Sequence, residues 1–222
     1  MIFALLSGVV LSAFCSLFIG SEYSDGTMRN KIAVGHSRTA VYLSNLAVCA
    51  TAGILACFGY ILPMVVVGVP LLGPFTMSAA SLAWFTLCAF IMTAALCAFF
   101  TMIAMLNQNK AVVAIICIFL AYFLLFLGIY LNSRLAEQAV IPAREYIENG
   151  QIMVREAMPN PGYVQGMKRT IFERLYDLPG CQAVQLLAAA EAYPARLPLV
   201  NLLAAAASTG VGLALFRRKD LK

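Results

Sequence analysis

Five long runs of apolar residues restrict the possible folds of this chain more than any other feature. They cover approximately residues 1–20, 40–69, 79–106, 111–132 and 196–216. A helix rises about 1.5 Å per residue, so about 20 residues cross the roughly 30 Å hydrocarbon core of a bilayer. Only 11% of the residues are charged and the mean hydropathy is +0.87, which is too apolar for a soluble domain. The sequence therefore predicts an all-α membrane protein, a polytopic bundle of about five transmembrane helices.

The basic residues between the runs predict how the helices are oriented, because Lys and Arg near the ends of spans stay on the cytoplasmic side. They collect in residues 21–39, in the turn "NQNK" before the fourth run and in the tail "FRRKDLK". With five spans these segments share one side, so we expect the N-terminus outside and the C-terminus inside. Since no basic stretch is interleaved with aromatic residues, the net charge of +5 indicates orientation and no nucleic-acid partner.

The predicted organisation has five parts. They are a transmembrane helix in 1–20, a cytoplasmic segment in 21–39, three transmembrane helices in 40–132, a helical extracellular segment in 133–195, and a last transmembrane helix with a basic tail in 196–222. In the extracellular segment an apolar residue recurs every three or four positions, at Val164, Met167, Ile171, Leu175 and Leu178. This spacing predicts one apolar stripe on a helix. We expect the stripe to pack on the membrane domain or on its own neighbours, with ligand binding as the alternative.

The second span contains residues that permit kinks and close helix approach, namely Pro63, Gly53, Gly59 and Gly68. Two interpretations stay open for them, a gating hinge and ordinary packing. No Asp, Glu, Lys or Arg lies deep in the first four spans. Ion-coupled transporters normally need such a group, so its absence argues against that class.

The stretch "IGSEYSDGTMRNKIAVGHSRTA" gathers many polar side chains between two apolar runs. Ser24 can cap a helix N-terminus, with Asp25 in the first turn of that helix. Gly35 can end the helix in the left-handed conformation, and Ser37 or Thr39 can cap the next span. The stretch therefore predicts a short cytoplasmic helix of about ten residues.

Two roles are open for this helix, whose small apolar face would be formed by Met28 and Ile32. It can lie on anionic lipid headgroups, or a soluble partner can hold it. Lipid contact explains the basic residues but not the acidic Glu22 and Asp25, which anionic lipid would repel. The composition therefore favours a protein partner.

The sequence "EYSDGTMRNKIAVGHSRTAVYLSNL" resembles the segment that joins the second and third spans of ABC-2 type ABC transporter permeases, which read much like E-Y-x-x-G-T-x-R-N-K. The likeness continues in "NPGYVQGMKRTIFERLYDLPGCQAVQL" and in the closing "GVGLALFRRKDLK". The resemblance implies an exporter subunit whose cytoplasmic segment docks on a separate ATP-binding cassette ATPase subunit. It assigns this ATPase-coupling role to the residues that match the motif, which are Glu22, Tyr23, Gly26, Thr27, Arg29, Asn30 and Lys31.

The resemblance also implies the partners, the cargo and the location. A second permease copy or a related permease would complete the transport path, in a bacterial cell membrane, for a peptide, a lipid or a hydrophobic compound. The chain has no G-x-x-x-x-G-K-[ST] motif, so we expect no cofactor of its own and ATP hydrolysis by the partner. Family members usually have six spans, so either the first span is missing from this sequence or the protein is a shortened variant.

Two other functions are alternatives to the permease. An intramembrane hydrolase would need a catalytic arrangement, but His36 and Ser37 lie in a turn without a G-x-S-x-G or H-E-x-x-H motif and are more simply turn and cap residues. An ATP-independent immunity or sequestering protein is the other alternative. No metal site is predicted, since six of the seven cysteines lie in apolar runs without metal-ligand spacing. Cys181, the seventh, is expected to be a free thiol.

Overall fold

The computed structural model describes residues 2–73, 77–148, 151–188 and 196–219. Its helices and strands are, in chain order, α1 Ile2–Ser24, α2 Thr27–Ala33, α3 Arg38–Pro63, a π-helical turn Met64–Gly68, α4 Val69–Leu72, α5 Ala79–Leu106, α6 Lys110–Ala136, β1 Val140–Ile141, β2 Arg144–Glu148, β3 Gln151–Arg155, β4 Met158–Pro159, α7 Gly166–Tyr176, α8 Gln182–Ala188 and α9 Arg196–Arg218. Within the described ranges, five helices are long and apolar enough to cross a membrane: α1, α3 with its continuation to Leu71, α5, α6 and α9. The predicted all-α membrane bundle is confirmed at this level.

The central helix of the bundle is α5, which packs against α1, α3 and α9. Most of its side chains between Phe85 and Met105 are buried. The outer helices α3, α6 and α9 instead expose apolar faces, with Phe119 71% and Leu203 62% exposed. An apolar periphery of this kind suits hydrocarbon as the surrounding solvent, since lipid tails are as apolar as leucine.

Two glycines allow the helices of the bundle to approach closely. A Cβ atom on Gly53 of α3 would lie 2.9 Å from the Cys97 Sγ atom on α5. A Cβ atom on Gly212 of α9 would lie 2.9 Å from the Tyr42 Cζ atom on α3. Without a hydrophobic effect between spans, such close backbone packing is a main source of helix association. Of the two interpretations of the glycines in the second span, packing therefore applies to Gly53.

Residues 133–195, which the sequence predicts to be a helical extracellular segment, contain strands as well as helices. Residues 140–159 contain two antiparallel pairs, β1 with β4 and β2 with β3. The sequence between β2 and β3 is Asn149-Gly150, a dipeptide that is typical of two-residue hairpins. The sequence therefore contains a local hairpin signal that the helical prediction did not use.

Helix α7 forms where the apolar spacing predicted it, but most of the predicted stripe faces away from the bundle. Val164 is buried. The other four stripe residues are exposed: Met167, Ile171, Leu175 and Leu178. The face against α6 is aromatic instead, because the ring of Phe172 lies 6.3 Å from that of Tyr130 and the Tyr176 hydroxyl donates to Asn132 Oδ1 at 2.8 Å. The predicted packing of the stripe on the membrane domain or on its own neighbours is therefore wrong for these four residues, since the aromatic rings of Phe172 and Tyr176 occupy the contact with α6.

Helix α8 is packed within the bundle, although it belongs to the segment 133–195 that the sequence predicts to be extracellular. It packs against α1, α5 and α6, and its Gln182 side chain accepts a hydrogen bond from Asn201 Nδ2 of α9 at 2.8 Å. The buried, free thiol of Cys181 donates to the Leu124 carbonyl oxygen at 3.3 Å. Leu124 lies about 21 Å along α6 from Lys110 at the usual helical rise. Residues 180–188 therefore re-enter the bundle at the depth of the apolar part of α6.

Candidate functional site

Helix α2 joins α1 to α3 at the end of the bundle where the basic residues collect. Gly26 has φ 71° and precedes the helix, which begins at Thr27. The left-handed conformation favours glycine at this position, because it has no Cβ atom to clash. The prediction that Ser24 caps α2 is wrong. Ser24 is the last residue of α1, and its hydroxyl donates to the Gly20 carbonyl at 2.8 Å. Because α1 continues this far, Asp25 precedes α2, and α2 has seven residues and not about ten.

The end of α2 follows the sequence-based prediction closely. Gly35 has φ 106° and its N–H donates to the Ile32 carbonyl at 3.0 Å, as expected of a left-handed glycine after a helix. Ser37 caps α3 by accepting a hydrogen bond from the Ala40 N–H at 3.2 Å. The apolar face of α2 is also confirmed, since Met28 is fully buried and Ile32 packs against the core.

A carboxylate network holds α2 to the two helices that flank it. Glu22, in the last turn of α1, forms an ion pair with Lys31 of α2. The same carboxylate accepts a hydrogen bond from Asn45 Nδ2 of α3 at 3.0 Å. The Glu22 side chain is only 14% exposed and that of Lys31 33%, while Asn45 is buried. One partly buried carboxylate therefore joins three consecutive helices.

A second network ties the same region to α5 and to the residues after α9. The Tyr23 hydroxyl donates to the Met105 carbonyl oxygen of α5 at 2.6 Å. The Lys219 ammonium donates to that carbonyl at 3.0 Å and to the Tyr23 hydroxyl at 3.3 Å. Arg38 of α3 donates to the Phe216 carbonyl at 3.2 Å and to the Lys219 carbonyl. Cations are favoured at these positions, because the C-terminal carbonyls of a helix carry partial negative charge. Burial nevertheless lowers the pKa of Lys219 to about 8.

Several other basic residues at this end have polar partners within the chain. Lys110 donates to the Ser21 hydroxyl at 2.8 Å, and Arg217 donates to the Thr39 hydroxyl at 2.9 Å. Arg29 differs, because its side chain is exposed and makes no hydrogen bond or ion pair within the described ranges. Asn30 beside it is exposed as well, and Val34 is 81% exposed.

The predicted coupling residues therefore separate into three groups. Glu22, Tyr23 and Lys31 are brought together as anchors, Gly26 and Thr27 shape the start of α2, and Arg29 and Asn30 project outward. Sequence reasoning missed Asn45 and Lys219. A polar amide within the apolar run "VYLSNLAV" was a usable signal for Asn45. Nothing in the sequence indicated that Lys219 reaches Tyr23, 196 positions earlier.

The described part of the chain has no group of three or more His, Cys, Asp or Glu side chains that could hold a metal ion. Comparison with known proteins found no matching family model, no matching curated protein and no matching solved structure.

Proposed function

We propose that the chain is the membrane-spanning permease subunit of an ABC exporter of the ABC-2 type, and that a separate ATP-binding cassette subunit binds α2. The observation that carries this proposal is the difference between the two sides of α2. Met28 is buried and Lys31 is paired with Glu22, whereas Arg29 and Asn30 project from the bundle. A helix that is attached on one side and exposed on the other suits a contact through which a soluble motor moves a membrane bundle.

The attachment of α2 suits the transmission of force to most of the spanning helices. The Glu22 network joins it to α1 and α3, and the Tyr23 network adds α5 and the end of α9. In the proposed mechanism, ATP-driven closure of two cassette subunits displaces α2, and the attached helices tilt to switch access across the cell membrane. Two permease copies, or two related permeases, line one path. The exposed apolar faces of α3, α6 and α9 leave room for a second copy.

The proposed cargo is a peptide, a lipid or a hydrophobic compound. This agrees with the character of the spans, which carry no Asp, Glu, Lys or Arg deep in α3 or α5. An ion path through a bilayer normally contains such groups.

The test is a pull-down of the tagged full chain from its native membrane in mild detergent, followed by mass spectrometry and an ATPase assay. Recovery of a stoichiometric cassette ATPase is expected with the wild type and is lost with Arg29→Glu. Arg218→Glu is the matched control, because Arg218 is an exposed arginine at the same end of the bundle but outside α2. Glu22 is a poor choice for this test, since its reversal disrupts the network that holds α2.

Recovery of the chain alone, from a membrane where it is abundant and folded, would refute the proposal. It would favour an ATP-independent sequestering protein. Equal loss of the ATPase in both variants would indicate a general charge effect and would contradict the assignment of the contact to α2.

A further inference from the structure

A cavity of about 240 Å³ lies at the end of the bundle opposite α2. Five helical segments line it, together with Met77 before α5. They contribute, among others, Phe3 of α1, Cys57 of α3, Met64 of the π-helical turn, Phe85 of α5 and Leu186 of α8. The re-entrant α8 therefore closes one side of the cavity. Phe85 lies about 31 Å along α5 from Leu106, which places the cavity near the far edge of a hydrocarbon slab about 30 Å thick.

The walls of the cavity are almost entirely apolar and therefore favour an apolar occupant. The lining side chains include three polar groups, and two of them already have partners within the protein. The Thr86 hydroxyl donates to the Leu82 carbonyl at 2.8 Å, and the Cys57 thiol lies 3.3 Å from the Thr93 hydroxyl. The third group is the Tyr60 hydroxyl, so the walls offer few polar atoms to a buried water, which needs about two to four partners. An apolar cavity of about 150 Å³ already binds a small hydrocarbon, so this larger one suits an aliphatic group.

The cavity is continuous with the surface of α3 that faces the surrounding medium. Met64 and Val65 line it, and they are also 42% and 46% exposed. Their neighbours Leu62 and Val66 are more exposed still. This opening coincides with the π-helical turn, which follows Pro63, a residue without the N–H that a regular helix needs. Such local π-helical turns occur frequently at functional sites.

We propose that this cavity binds one acyl chain of a phospholipid from the membrane leaflet opposite α2. The chain reaches the cavity from the lipid-facing side of the π-helical turn and lies between α1, α3 and α5, with the tip of α8 as its remaining wall. The occupant is membrane lipid because the opening lies in the apolar surface of the bundle and the walls are apolar, with aliphatic and aromatic side chains. This inference does not depend on the permease function or on a cassette partner.

The test uses the purified full chain in maltoside detergent with a trace of phosphatidylcholine that carries a photoactivatable diazirine on one acyl chain. Labelled residues are mapped by mass spectrometry, with and without an excess of unlabelled phosphatidylcholine. We expect label on Met64 and Leu186 that the excess lipid removes. Phe119 on the exposed face of α6 serves as the internal control, and its label should not be saturable.

Two variants test the site itself. Ala89 lines the cavity and is 8% exposed, so Ala89→Phe fills the cavity and should abolish the label there while leaving the label at Phe119. Ala206→Phe, at an exposed position of α9, is the matched control. If Ala89→Phe does not fold, Val65→Trp blocks the half-exposed opening without entering the core. Three results would overturn the proposal. They are no label at Met64 and Leu186, label there that excess lipid does not remove, as at Phe119, and label that persists in a folded blocking variant.

Discussion

The ion pair between Glu22 and Lys31 should determine how firmly α2 is attached to the bundle. Glu22→Gln keeps the shape of the side chain and an oxygen that can accept from Asn45, but it removes the charge that faces Lys31. Exposed ion pairs contribute about 0.2–1 kcal/mol, and loss of one partner of a buried pair costs about 3–5 kcal/mol. With side chains 14% and 33% exposed, this pair lies between the two cases. We expect the free energy of opening of α2 to fall by about 1–2 kcal/mol, which is roughly a 5- to 30-fold larger open population.

Amide hydrogen exchange of α2 in detergent measures this opening directly. The informative amides are those of Asn30 and Val34, which donate to the carbonyls of Gly26 and Asn30. A double-mutant cycle with Lys31→Met separates the pairwise energy from the loss of either side chain, and we expect a coupling of about 1–2 kcal/mol.

The matched control for this cycle is the pair of Arg169 and Glu173 on α7. Their side chains are 37% and 43% exposed, and they are four residues apart on one helix. Such a pair contributes about 0.3–0.5 kcal/mol, so Glu173→Gln should scarcely change exchange in α7. If Glu22→Gln changed the exchange of α2 no more than Glu173→Gln changes that of α7, the pair would not be an anchor. Transmission of force through Glu22 would then be refuted.

Two further changes test the packing and the second network. Gly212→Ala should destabilise the bundle by about 1–3 kcal/mol in thermal unfolding, because the new methyl group overlaps Tyr42; Tyr42→Phe should recover part of the loss. Gly210→Ala is the control, since nothing lies within 4 Å of a Cβ atom there, and equal losses at both glycines would contradict the close approach. Lys219 has a pKa of about 8 in the folded chain, against 10.5 when unperturbed. Between these pH values the unfolded state binds more protons than the folded state, so the stability of the fold should rise with pH. Arginine stays protonated in the Lys219→Arg variant. The difference in melting temperature between wild type and variant should therefore be constant below about pH 8 and increase above it. A constant difference up to pH 10.5 would show that Lys219 is not buried as described.

The amino-acid sequence alone was enough to predict the five spanning helices and much of the end of α2. The third run, residues 79–106, coincides with α5, and the left-handed Gly35 and the cap at Ser37 lie where the local pattern placed them. These features are predictable because their causes are local. A backbone in hydrocarbon must satisfy its own hydrogen bonds, and a helix end needs a suitable residue within one turn.

The tertiary structure decided which side chains meet. Tyr23 contacts Met105 and Lys219 across 82 and 196 positions of sequence, α8 turns back beside Leu124, and the stripe that includes Met167 faces outward. In a membrane bundle the lipid-facing and protein-facing sides of a span are similarly apolar, so periodicity does not reveal which side is buried. The rotation of each helix about its axis, and with it the position of every anchor of α2, follows from close packing and from polar pairs that form only once the helices are assembled.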